Sequence, residues 1–548
     1  MKTIKSILKY TLLALPFAVS SCDDFLERDH PTGITDDKFW QTTNQANAAL
    51  ESCKSFPGGT YHYSFPYVAL VHMEGMSDNM YHSANFKEEI VNFGNGSLTP
   101  TTGGYINDIW SNYYTMIRRC NRLLANIEKP YFSDEADRKR ITAEARVWRA
   151  WYHMQLLMWY GWHDGIPVVD KVLNADEIYM ARNTVDECLD FINKEFDEVI
   201  ESGDLEFLWD EGRRGRMSGS VAAALQMDLN LNFKRYDKAK EAAKRIIDSG
   251  LFELYFSEQT DDFAGKNYRD LFRYVGKQNK ERILFKPSGL NEFWFRSMTT
   301  ALGGQGAMCP TKSLIDCYET IDGKTLDQID AAERKKMEED PFSTCNQRDP
   351  RLYCSILMPG DNTSVSNFTY NPFDKESSDA VGKTGASRSG YMCKKYLDEQ
   401  DRPSPWAGSL DFVLYRYAEV LLDYVECLIE TGDWQNPDVE KYINMIRNRA
   451  GMPDMDKNVY NTQEKVRELY RRERRVELAF EGKRYFDIKR WGIGEQAMNG
   501  EVKGAFDPVT KAYVVVESRS YSIPKNDSWP LPQGEITANE NIHQPKGW

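Results

Sequence analysis

The chain has 548 residues, with 69 lysines and arginines against 83 aspartates and glutamates, for a formal net charge of −14. Such a length supports a large core, and the acidic balance repels phosphate backbones, which sets nucleic acid aside as a partner. Ten cysteines, without a CxxC pair or regular spacing, argue against a disulfide framework and a zinc site; most read as small buried hydrophobes, and a bridge between Cys345 and Cys354 stays open.

The first element is a targeting segment. Lys2, Lys5 and Lys9 precede an apolar run at 10–19, and Val19-Ser20-Ser21 lead into Cys22. A membrane-spanning helix needs about 20 apolar residues, so this shorter run reads as a cleaved secretory signal over 1–21. Cys22 stands where a bacterial lipoprotein signal places its lipid-accepting residue; an ordinary signal peptide has no need of a thiol there. Lipidation at Cys22 and a membrane anchor are therefore expected. Asp23-Asp24 occupy the place of a surface-export signal of some Gram-negative lipoproteins, so the expected location is the outer membrane, exposed at the cell surface.

Residues 22–548 read as one domain in three parts. The first, to about 250, is helical with a loop-rich aromatic insertion at 50–104. Within 134–160, Ile141, Ala145, Trp148, Tyr152 and Leu156 recur at spacings of three and four. They predict one amphipathic helix, with Ser133 as its N-cap and Gly161 as its end. Trp148, Trp151, Trp159 and Trp162, on or at the end of this helix, read as packing residues. Further helices are predicted over 184–202, 218–233 and 236–249, the last two joined by a short turn.

From 251 to 410 the texture changes, with Gly, Pro, Ser and Asn gathered at 286–310 and 359–390. This reads as irregular structure with short helices or strands, the kind of long insertion where function tends to sit. Helix returns over 411–548, with 413–430 and 437–449 as a second helix pair. Both pairs resemble tetratricopeptide helix pairs without their strict consensus. In 471–477 (RRERRVE) the alternating charges predict a structural ion network paired along the helix, with Glu481-Gly482 as the helix end.

Many blocks resemble the SusD/RagB family of outer-membrane nutrient-binding lipoproteins. They include EARVWRAWYHMQLLMWYG at 144–161, PTKSLIDCYETIDGK at 310–324, RDPRLYCSILMPG at 348–360, LYRYAEVLLDYVECLIET at 414–431, ERRVELAFEGKRYFDIKRW at 473–491 and WPLPQGEITANENIHQPKGW at 529–548. They fall in family order and span nearly all of 22–548. Glu540 departs from the family's usual proline, and the tail reads QPKGW. The resemblance implies a mostly α, SusD-like fold with four tetratricopeptide-like helix pairs as scaffold. It implies binding of a glycan or other nutrient oligomer without catalysis or cofactor, and a SusC-like, TonB-dependent barrel transporter as partner.

Aromatic residues make up 13% of the chain, and their flat faces suit both helix packing and the C–H face of a sugar ring. Loop positions separate the two uses, because no periodicity there demands burial. Trp406 (RPSPWAGS) is the first candidate, held beside a proline. Trp294 (NEFWFRS) is the second, although strand alternation explains it equally well. Tyr61, Tyr63 and Tyr67 (YHYSFPY) and Tyr81 line the first insertion. Asp78, Asn79 and Arg388 are the candidate polar partners, with turn chemistry as the alternative for the first two. No HExxH, GxSxG or Walker loop appears, and among 83 acidic residues a glycosidase pair is always available on paper. The expected function is glycan capture and delivery to the transporter; the alternatives are a surface glycosidase and a protein-binding scaffold or adhesin.

Overall fold

The computed structural model describes residues 36–54, 72–83, 88–286 and 292–548. Six main helices fill the first half: α1 (Thr43–Ser52), α2 (Tyr105–Asn126), α3 (Glu135–Tyr160), α4 (Val185–Ser202), α5 (Gly219–Asn232) and α6 (Tyr236–Asp248). Side chains satisfy the free N–H groups at several of their starts. Thr42 and Thr184 form capping boxes with Gln45 and Glu187, and Ser218 accepts from Val221 N–H. The cap of α3 is Asp134 and not Ser133. Its carboxylate accepts from Ala136 N–H at 2.9 Å, and its charge also complements the positive end of the helix dipole.

From α2 to α6, each helix packs on the next. The whole of α5 is buried, and Ala222-Ala223-Ala224 lets its neighbours approach. The second pair, α7 (Tyr417–Glu430) and α8 (Pro437–Arg449), joins the first because α6 packs against α7. Two more helices, α9 (Gln463–Glu477) and α10 (Arg484–Trp491), complete the core. Trp148, Trp151 and Trp159 are buried as expected; Trp159 lies against Tyr485, Phe486 and Trp529, and Trp162 packs on Phe233. No helix of the described residues is long and apolar enough to cross a membrane.

The strands are short and pair in twos, all antiparallel: β1 (Met80–His82) with β3 (Met308–Pro310), β2 (Arg282–Lys286) with β6 (Phe412–Arg416), β4 (Ile356–Leu357) with β5 (Met392–Cys393), and β7 (Gly500–Asp507) with β8 (Ala512–Arg519). Strand β6 shortens a predicted helix: 413–416 are extended, and α7 begins only at Tyr417. All five residues of β6 are buried, and its apolar and aromatic side chains suit a pleated, enclosed strand. Cys345 and Cys354 are free thiols.

The charges of 471–477 do form a structural network, but it runs between elements and not along the helix. Glu477 receives Arg351, Arg416 and Arg449; Glu473 takes Arg351 and Arg447; Arg474 takes Asp423 and Asp487. Helix α9 ends at Glu477, four residues before the predicted stop. Phe480, at φ 63°, turns the chain back, so that Glu481 meets Arg416 at 2.7 Å and Lys395 at 2.6 Å.

Candidate functional site

The loop carrying Trp406 is tied at both ends. Asp401 accepts from Tyr274 Oη at 2.5 Å, and the same oxygen accepts from Ser409 N–H at 2.7 Å. Within the loop, Ser404 N–H donates to the Asp401 carbonyl and Ala407 N–H to that of Ser404. The Pro405 carbonyl accepts from Phe295 N–H at 3.3 Å, and the Phe295 ring stacks on Trp406 with 28° between planes. Gly303, beside Pro405, sits at φ 77°, a left-handed backbone that favours glycine, and a Cβ there would make only ordinary contact with Pro405, at 3.4 Å. All thirteen tryptophans fall in described residues, and Trp406 alone is an exposed one, at 53%. Phe295 stacks against its ring, and about half of the residue remains exposed to solvent.

Main-chain bonds carry this platform to two further candidates. The Phe295 and Arg296 carbonyls accept from Gln305 and Ala307 N–H, both at 2.8 Å, and the Ala307 carbonyl accepts from Ser83 N–H at 2.9 Å. Strand β3 then pairs with β1, placing Tyr81 opposite Cys309. Cys309 Sγ in turn accepts from Arg388 N–H at 3.3 Å. Trp406, Tyr81 and Arg388 thus ride on one hydrogen-bonded set of segments. Tyr81 is half-buried, and Arg388 is exposed without an ion pair to any described residue.

Three candidates turn inward instead. Trp294 is buried in the short helix Phe293–Ser297, where its Nε1 donates to the Leu302 carbonyl at 2.7 Å; it is a packing residue, and no alternating strand exists there. Asn79 donates to Glu74 Oε1 at 2.6 Å and accepts from Arg475 Nε at 2.7 Å. Asp78 is held by Arg484 at 2.8 and 3.0 Å and by Arg475 at 2.9 Å. Burial alone would raise the Asp78 carboxyl, but the Arg475 and Arg484 guanidiniums outweigh it and hold it at about 2. Asp78 and Asn79 sit in a turn, where Asn79 N–H donates to Ser77 Oγ at 3.2 Å, and their long-range ties to Arg475 and Arg484 brace the segment before β1, so they are not free ligand partners. Tyr61, Tyr63, Tyr67 and Cys22 lie outside the described residues.

The residue that sequence reasoning missed is Phe295, which backs Trp406. It lies in the NEFWFRS segment beside Trp294, and the sequence signal for it is the presence of two aromatic loop segments about a hundred residues apart. Two of the surface hollows formed by the described residues bear on these candidates. A polar cleft of about 200 Å³ is lined by Asp78, Lys312, Ser313, Asp316 and residues 497–503, with Arg519. A larger open groove, about 740 Å³, has Phe252, Leu254, Phe256, Tyr417 and Met445 among its apolar walls and contains none of the candidate residues.

The sequence profile of the SusD family matches residues 250–548, more than half of the chain. The chain belongs to the SusD family. A second profile, described as starch-binding associating with outer membrane, matches residues 66–202. Among SusD-like relatives, protein P38 of Formosa agariphila is 22% identical, covering 92% of this chain and 95% of its own. A SusD-like carbohydrate-binding protein of Bacteroides fragilis superposes with a TM-score of 0.80 at 27% identity, covering 92% of this chain and all of the other. A laminarin-binding SusD-like protein shares the fold at a TM-score of 0.61 and 19% identity, over 93% of this chain and 100% of its own. The mostly helical, SusD-like architecture is thus common to proteins of low sequence identity.

Proposed function

We propose that this SusD-family chain is a lipid-anchored protein of the outer-membrane surface that captures an oligo- or polysaccharide. It passes the glycan to a SusC-like, TonB-dependent transporter and does not cleave it. The observation that carries the reading is Trp406: the one exposed tryptophan, backed by Phe295 and fixed by a proline loop. A rigid indole face loses little conformational freedom on binding, which suits stacking against a sugar ring. Tyr81 and Arg388 lie on the same connected segments and offer hydroxyl and guanidinium hydrogen bonds. Tyr61, Tyr63 and Tyr67 remain candidate glycan contacts by sequence. Family membership supports a carbohydrate ligand, and the segment ending in Cys22 supports the anchor.

Incubation of the purified protein with a panel of polysaccharides separates the alternatives. Reversible retention is the expected result; depletion of the polysaccharide marks a glycosidase, and the absence of both favours a protein-binding scaffold. Cys22→Ala is expected to leave the membrane fraction or to stay unprocessed, and a wild-type protein found soluble in the periplasm overturns the anchor. Pull-down in mild detergent is expected to recover a large barrel protein, and repeated recovery of this chain alone counts against a stable complex.

A further inference from the structure

The polar cleft at the start of β7 is built differently from the aromatic platform. Its charged lining balances, with Asp78, Asp316 and Glu501 against Lys312, Lys503 and Arg519. The deeper groups are already oriented by partners. Lys312 Nζ holds Asp316 at 2.6 Å and Glu338 at 3.2 Å, Asp78 is gripped by Arg484, and Arg519 donates to the carbonyls of Gly75, Ser77 and Met80. At the mouth, Glu501 and Lys503 are half-exposed or more and only 4.0 Å apart. Gly500 adds no bulk there: a Cβ at that position would meet nothing within 4 Å.

A liquid water occupies about 30 Å³, so a space of about 200 Å³ holds the equivalent of about seven waters, the size class of a single sugar ring. Asp78 is taken up by its guanidinium partners, but Asp316 and Lys312, fixed on each other, and Glu501 and Lys503 at the mouth line the space with carboxylate and ammonium groups, the hydrogen-bonding surroundings that hydroxyls need, at little cost in ordering. With no excess of either sign, the cleft gives no advantage to an anionic or a cationic ring. The same strand reaches the platform side, since Ala505 N–H donates to the Ser389 carbonyl at 2.7 Å, next to Arg388.

We infer that this cleft is a subsite for one neutral, hydroxyl-rich sugar residue, a second point of contact for the glycan that stacks on Trp406. The inference rests on the glycan-binding reading above and names its ligand class. Lys503→Trp places an indole at the cleft mouth and, among the ion pairs of the described residues, removes only the 4.0 Å contact with Glu501; Glu501→Trp repeats the block from the other side.

The test is calorimetry on the mature chain with laminarihexaose, maltohexaose and xylohexaose as neutral probes. Hexagalacturonate and chitosan hexaose serve as charged ones. The expected result is binding of a neutral hexaose, weakened at least tenfold by Lys503→Trp and by Glu501→Trp, with unchanged melting temperatures. Wild-type affinity in both cleft variants, with loss only in Trp406→Ala, overturns the cleft and leaves the platform standing. Loss only in the cleft variants keeps the subsite and overturns the platform. Binding of a charged hexaose in preference to every neutral one overturns the neutral-sugar assignment, and no binding by any probe overturns both readings.

Discussion

Under the C-terminal helices, Arg351, Arg416 and Arg449 converge on Glu477 with almost no solvent contact, and Glu281 and Glu481 close the cluster. On the loop face, Arg388 and Trp406 stand in water, and no described ion pair holds Arg388. Taking an ion out of water costs several kcal/mol, so the buried set is tolerable only because each charge meets its partners in good geometry. Its members come from positions as far apart as 281 and 481, and through Asp78 the surrounding charges also grip the segment before β1. The interior thus fixes where the loops begin, and the loop face keeps its polar and aromatic groups available to a ligand. The same residue types serve both regions; burial and partnering decide the use.

The largest test of that contrast is Arg416→Ala. It strands Glu281, Glu477 and Glu481 without their shared guanidinium, and a broken buried pair costs about 3–5 kcal/mol. Denaturant unfolding is expected to show that loss, and a change below about 1 kcal/mol would mean that the network relaxes. By contrast, Arg388→Ala is expected to leave stability within about 0.5 kcal/mol of wild type, as for surface positions generally.

Acid is the next probe of the interior. Burial alone would raise the Asp78 and Glu426 carboxyls, yet Arg475 and Arg484 hold the first at about 2, and Arg490 holds the second at about 2. Both groups therefore bind protons more readily in the unfolded chain. Their stabilisation, about 2–3 kcal/mol each, is present above pH 4.5 and lost as pH falls through about 2. Melting temperature followed from pH 5 to pH 2 is expected to drop steeply. In the double variant Asp78→Asn/Glu426→Gln the drop is expected to be shallower, and an identical slope would show that these two carboxyls do not carry the acid sensitivity.

These two regions were unequally legible in the sequence. The helix at 135–160 was plain because its apolar residues repeat at helical spacing, and Trp406 stood out because proline and glycine surround it. The partners of Asp78 were not legible: Arg475 and Arg484 lie some 400 residues away, and no local pattern records a long-range ion pair. Strand β6 was hidden because a fully buried strand shows no alternation and runs directly into an apolar helix. Trp294 and Trp406 share an aromatic, loop-rich texture, and only the fold shows that one fills the core and the other faces water.

On the loop face, Trp406→Ala carries the larger effect. Loss of a stacking platform is expected to weaken the glycan hit by about 1–3 kcal/mol, taking the range from base stacking. Phe295 offers a way to sharpen this: Phe295→Ala keeps the indole but removes the ring behind it. A smaller loss of affinity is expected there than in Trp406→Ala, and equal losses would mean that presentation of the indole matters as much as the indole itself.

Arg388 gives the smallest effect and the sharpest contrast with Arg416. An exposed guanidinium gains less from a hydroxyl than a buried one, because water competes for every donor, so Arg388→Ala is expected to weaken glycan binding by about 0.5–1.5 kcal/mol. Its main-chain bond to Cys309 survives the substitution, so the loop keeps its path and any change reports the side chain alone. Arg388→Lys separates charge from shape. Near-complete recovery of affinity would show that a single donor suffices, whereas a loss equal to that of alanine would assign the planar, two-pronged guanidinium a role in orienting adjacent hydroxyls. Calorimetry of the three proteins against the same hexaose reads the difference. If Arg388→Ala binds as tightly as wild type, the guanidinium belongs to the solvated surface, and the ligand face contracts to Trp406 and the segments bonded to it.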